Sequence, residues 1–185
     1  GDVSIEDLIA DENVVITISH AGYIKRTNLT EYKTQNRGGV GQKSAGTRDQ
    51  DFLEHMYVAT NHQYMMFFTQ KGKCFWMRVY EIPEGSKTAK GRAIQNLVNI
   101  ESDDKVKAFI CTQDLKDKDY INSHNLIMVT KKGQVKKTSL EKYSKPRVNG
   151  VAGITIKDGD ELMSAQLTNG ESQIILAVKS GKLVR

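Results

Sequence analysis

The stretch "QNRGGVGQKSAGTR" at residues 35–48 sets Arg37 among glycines and adds Lys43 and Arg48, with almost nothing to bury. Such residues suit the holding of an anion. Gly38, Gly39 and Gly41 let a loop turn sharply and bring its own N–H groups close to a phosphate, while Arg37 supplies a bidentate guanidinium. The loop does not fit a nucleotide site: Gln42, where a Walker loop has lysine, follows Gly41, and no G-x-G-x-x-G can be read in it. Metal chemistry finds no support either, because His20, His55, His62 and His124 share no ligand spacing with one another or with Cys74 and Cys111. Each cysteine lies in an apolar run and is expected to be a buried free thiol.

The elements that position such a loop form a repeat. "VVITISHAGYIKRTNLTEY", "YMMFFTQKGKCFWMRVYEI", "LIMVTKKGQVKKTSLEKYS" and "IILAVKSGKLVR" each read as an apolar strand, a polar turn ending in glycine, and a second strand with basic residues. Gly22, Gly72, Gly133 and Gly181 are expected at φ > 0 in hairpin turns. After the first three hairpins comes a basic, glycine-bearing stretch, then an acidic link and a further strand. This predicts an all-β, propeller-like array of blades of about four antiparallel strands, about three of them plus the start of a fourth. The expected units are about 11–60, 61–122, 123–170 and 171–185, after a leading segment 1–10 in which residues 4–9 form one capped helical turn. The extra "DLKDKDYINSH" of the second unit reads as a surface loop.

Charge runs in phase with this repeat. The chain has 27 Lys and Arg against 22 Asp and Glu, a net charge of +5. Windows 20–48, 71–92, 131–147 and 179–185 together hold 22 basic and 4 acidic residues, which leaves the remainder strongly acidic. Equivalent positions in stacked units would lie along one rim, where their fields add into a basic band suited to a polyanion of regular charge spacing. Duplex DNA fits best, held through its phosphates, since no recognition helix or finger motif is present for base readout. The expected phosphate contacts are Arg37 and Lys43; Lys25 and Arg26 on the first hairpin; Lys87, Lys90 and Arg92 in the second unit; and Lys136, Lys137, Lys145 and Arg147 in the third. Arg78 and Lys182 are weaker candidates. No apolar run is long enough to span a bilayer and no signal peptide is legible, so a cytoplasmic protein without a membrane partner is expected.

At "QNRGGVG" the sequence resembles the Q-R-R-G-G-[basic]-G box of the C-terminal domain of the bacterial DNA gyrase A protein, and the blade sequences are similar to that domain in order over essentially all 185 residues. The resemblance implies a β-pinwheel that wraps DNA around its basic perimeter and supports negative supercoiling, with Gln35, Asn36, Arg37, Gly38, Gly39, Val40 and Gly41 forming the box loop. It implies no catalytic residue and no cofactor in this domain, the rest of gyrase A together with gyrase B as partners in a heterotetramer, and a place on the bacterial nucleoid. Asn36 and Val40 stand where the family carries basic residues. The related C-terminal domain of topoisomerase IV is the alternative within nucleic-acid binding; a propeller-like scaffold for an acidic protein is the alternative outside it.

Overall fold

In the computed structural model the described residues are 4–33 and 51–169, with the backbone of two further short strands. The protein is all-β apart from short helical turns, and it divides into two compact units, residues 1–63 with 77–97 and residues 64–76 with 98–185.

In the first unit, β1 (Asn13–Ser19) and β2 (Tyr23–Asn28) form a hairpin that pairs Ile18 with Ile24 and Val14 with Asn28. β1 is rich in β-branched residues and buried on both faces, so it sits in the sheet interior. β3 (Leu53–Thr60) pairs along its other edge, with a bulge at Ile18/Ser19. The fourth strand of this sheet is β6 (Arg92–Ala93), which pairs with β2 through Ile24 and Arg92. Since β6 follows the second hairpin, the sheet and the sequence repeat are out of phase by one loop.

The same exchange recurs in the second unit. There β4 (Tyr64–Thr69) and β5 (Lys73–Arg78) form the hairpin, β7 (Val106–Thr112) flanks β4, and β10 (Val151–Ala152), from the following repeat, pairs Val151 with Cys74. A three-stranded sheet follows, in the order β11 (Leu162–Thr168), β8 (Asn125–Thr130), β9 (Val135–Ser139). Backbone strands β12 (Leu176–Ala177) and β13 (Leu183–Val184) pair antiparallel. The core gathers Met66, Phe68, Trp76, Ile110, Met128 and Leu140, and the indole N–H of Trp76 donates to the Tyr143 carbonyl at 3.1 Å.

The three described hairpin turns are built the same way, and Gly181 lies outside the described residues. Ser19, Thr69 or Thr130 accepts, on its hydroxyl oxygen, the N–H of the residue after the turn glycine, at 3.0–3.1 Å. Gly22, Gly72 and Gly133 lie at φ +91, +89 and +94, as the turn chemistry predicts. Asp51, Asp104 and Asp160, each two residues before the strand that returns to a hairpin, accept the N–H of Ala21, Lys71 and Lys132 at 2.9–3.1 Å. Three aspartates thus tie each returning strand to its turn.

The leading segment is a 3₁₀ turn, Ile5–Leu8, with a capping box between Ser4 and Asp7, in accord with the expected capped turn. Arg78 secures it: one guanidinium nitrogen donates to Glu6 at 2.9 Å and the other to the His62 carbonyl at 2.6 Å. The insert read as a surface loop is different. It contains the helix α1 (Lys118–Ser123), capped by Asp117, and it buries Leu115 and Ile121 in the core of its unit. Those two apolar residues among lysines and aspartates were the legible signal. Cys74 is a buried free thiol as expected, whereas Cys111 is only half-buried. Burial pushes the Cys111 thiol up to about 11.

Candidate nucleic-acid interface

The loop 82–93 of the first unit is laid against β2 and hydrogen-bonded to it at several points. The Arg26 N–H donates to the Pro83 carbonyl at 2.9 Å, and the Gly85 N–H returns the bond to the Arg26 carbonyl at 3.0 Å. The buried Thr27 hydroxyl donates to the Gly85 carbonyl at 2.8 Å. Gly91 closes the loop at φ +88, so near β2 that a Cβ there would sit 2.5 Å from the Ile24 carbonyl oxygen. Only glycine satisfies both demands.

Under this loop lies Lys25. Its side chain is 8% exposed, and its amine donates to three carbonyls, Ser86 at 2.9 Å, Lys87 at 2.7 Å and Ala89 at 2.7 Å. Burial draws its pKa below the usual lysine range, and the neighbouring Glu31 carboxylate draws it back upward. Three acceptors match the three N–H donors of an ammonium, so the hydrogen bonding favours the charged form. Arg26, the next residue, is half-buried and donates to the Ile82 carbonyl at 3.0 Å and the Tyr80 carbonyl at 3.4 Å. Both residues expected to contact phosphate from the first hairpin therefore spend these donors on backbone carbonyls.

The residues of the loop itself are the presented ones. The Lys87 amine lies 4.8 Å from the centre of the Tyr32 ring, and the Lys90 amine 4.3 Å from that of Tyr23. Tyrosine faces attract a cation by roughly 0.5–1 kcal/mol at exposed sites. Tyr32 and Tyr23 lie outside the set of residues expected from the sequence, where the signal for them is a tyrosine near basic residues, in "GYIKR" and "EYK". Lys90 and Arg92 are exposed, and among the described residues neither is in an ion pair. With Pro83, Glu84, Gly85, Ala89 and Gly91 they line an open cleft of about 560 Å³.

The second unit repeats the plan on its own hairpin. Gly150, at φ +73, brings the loop before β10 so close to β5 that a Cβ would meet the Phe75 ring at 2.8 Å. Lys145 and Arg147, on that loop, are exposed. On β9, Lys137 is exposed; Lys136, three residues past its turn glycine as Lys25 is, donates to the Gly153 carbonyl at 2.8 Å. The box residues Gln35, Asn36, Arg37, Gly38, Gly39, Val40 and Gly41, with Lys43, lie outside the described residues, as does Lys182.

Hairpins completed by a strand from the next repeat, with a glycine-held basic loop at each exchange, define a tandem array of propeller-like blades. The family model described as DNA gyrase C-terminal domain, beta-propeller, matches residues 13–60, 63–113 and 124–169, and the chain belongs to that family. It is 40% identical over 184 residues to the DNA gyrase A protein of Salmonella typhimurium, covering 100% of this chain and 20% of the relative. Against the DNA gyrase A protein of Buchnera aphidicola it is 43% identical over 183 residues, 99% of this chain and 21% of the relative. The chain thus spans about a fifth of the length of these relatives. Among solved structures, the C-terminal domain of a DNA topoisomerase IV aligns at TM-score 0.73 and 30% identity, over 91% of this chain and 50% of that one. A DNA gyrase A C-terminal domain aligns at TM-score 0.66 and 24% identity, over 93% of this chain and 53% of that one, a likeness of fold. The fold is the β-pinwheel of these domains.

Proposed function

We propose that this chain binds duplex DNA through its phosphates without reading its bases, and that within a longer gyrase A protein it wraps DNA so that strand passage yields negative supercoils. The observation that carries the reading is the loop 82–93, a backbone hydrogen-bonded to β2 that presents Lys87, Lys90 and Arg92 while Lys25 beneath it donates to three of its carbonyls. Lys145, Arg147 and Lys137 extend the same chemistry to the second unit, and Arg37 of the box and Lys43 just past it are proposed to anchor the start of the wrapped path. The remainder of gyrase A, together with gyrase B, supplies the proposed partners, in a heterotetramer in the bacterial cytoplasm. No catalytic group, metal or cofactor is assigned to this chain. Among the described residues no helix is long and apolar enough to cross a membrane.

Binding is tested by titrating duplex DNA at several salt concentrations. If 6 to 10 phosphates are engaged, affinity falls roughly 10³- to 10⁵-fold between 50 and 200 mM salt, without sequence preference. A protein-binding scaffold shows neither the affinity nor the slope. Wrapping is tested in the whole enzyme with Arg37→Ala combined with Gly38→Ala and Gly39→Ala: negative supercoiling is lost and ATP-dependent relaxation retained, because bending costs roughly 1–6 kcal/mol per 20–30 bp and needs its anchor. Full supercoiling by that variant refutes the wrapping role of the box.

A further inference from the structure

Three carbonyls converging on one buried amine require an explanation beyond stability, because their direction determines what the loop shows to solvent. A trans peptide is planar, so the N–H of each unit points away from its C=O. The carbonyls of Ser86, Lys87 and Ala89 all point inward to the Lys25 amine. The N–H groups that share those peptide units belong to Lys87, Thr88 and Lys90, and they point away from it. The Lys87 N–H meets the Glu31 carboxylate at 3.4 Å. Those of Thr88 and Lys90 find no acceptor among the described residues, and both residues are exposed. Outward amides beside the Lys90, Lys87 and Arg92 side chains compose a backbone anion cradle.

We infer that Lys25 is a positioning residue for this cradle: it touches no phosphate, and its buried ammonium holds the loop so that the Thr88 and Lys90 amides, with Lys87, Lys90 and Arg92, receive at least two adjacent DNA phosphates. Without the cation, the Lys87 and Ala89 carbonyl oxygens would lose their donor and the Ser86 carbonyl would keep only the Ala89 N–H at 3.1 Å, and the loop would turn or lift to hydrate them. The peptide planes then rotate, and the outward amides are lost together with the side-chain placement. This inference rests on the DNA-binding reading of the loop and assigns the anion-contacting atoms within it.

The test is the salt dependence of duplex binding by Lys25→Met, which keeps the length of the stem and deletes the charge. Each phosphate contact contributes about 0.9 to the slope of log K against log salt. A positioning role predicts that the slope falls by at least two contacts, about 1.8, in protein that remains folded at the assay temperature. A fall of about 0.9 makes Lys25 itself a phosphate contact, and an unchanged slope makes it a purely structural residue; either result overturns the inference. A second measurement needs no variant: in the unaltered protein, DNA is expected to slow amide hydrogen exchange at Thr88 and Lys90, and unchanged exchange there overturns the inference even if Lys25→Met does not fold. Failure of the unaltered protein to bind DNA at low salt instead removes the reading on which the inference rests.

Discussion

Gly91→Ala compared with Gly22→Ala separates two demands that positive-φ glycines face in this fold. Both residues have nearly the same backbone, φ +88 and +91, so an alanine at either carries a similar conformational cost, roughly 1–2 kcal/mol. Their surroundings differ. Around Gly22 a Cβ would meet nothing within 4 Å, whereas at Gly91 it would lie 2.5 Å from the Ile24 carbonyl oxygen and 2.9 Å from its carbon, distances that backbone must move to relieve. The relief available is to lift the loop from β2, at the expense of the pairing of Arg92 with Ile24 and Ala93 with Tyr23. Losing one or two ladder hydrogen bonds adds about 1–3 kcal/mol. Gly91→Ala is therefore expected to destabilise by roughly 2–5 kcal/mol against roughly 1–2 for Gly22→Ala, read from urea unfolding midpoints at constant slope. Duplex affinity should fall for Gly91→Ala and hold for Gly22→Ala. Equal destabilisation by the two substitutions would refute the close approach of loop to strand, and with it the account of how Lys87, Lys90 and Arg92 are presented.

Two further outcomes follow from the same geometry. Burial pushes the Asp160 carboxyl up, but the Thr130 hydroxyl, the N–H groups of Lys132 and Glu161 and the Lys132 charge more than reverse this and hold it below the usual 3.8. The folded-state value is the depressed one, so its contribution is complete above the unfolded-state pKa and is lost as pH falls from about 4 through the folded value; Asp160→Asn, which keeps an acceptor and cannot titrate, should make the loss of urea stability between about pH 5 and 3 shallower, and an unchanged profile would count against the turn tie. Ile121→Ala removes a buried side chain of α1 from the core and is expected to cost roughly 2–5 kcal/mol in the same unfolding assay; a cost under about 0.5 kcal/mol would return the insert to a surface loop.

The repeat, the hairpin turns and the capped leading turn were legible in the sequence because they are local. Turn glycines, a Ser or Thr three residues before each of the first three, and strands of β-branched and aromatic residues act within a few residues of themselves. The phased charge was also legible, since it needs only the count and the spacing. What tertiary structure alone decided is which cations face outward. Lys25 and Lys90 are both lysines in basic windows, yet the first ends in a cage of carbonyls 61 to 64 residues away and the second stands over a tyrosine ring. Nothing within either window distinguishes them, because the acceptors come from a loop that reaches β2 only through the exchanged strand β6. The same long-range pairing puts sheets out of phase with the sequence repeat. Burial of Leu115 and Ile121 likewise depends on a core assembled from distant strands, where hydrophobic burial outweighs the polar composition of the surrounding insert.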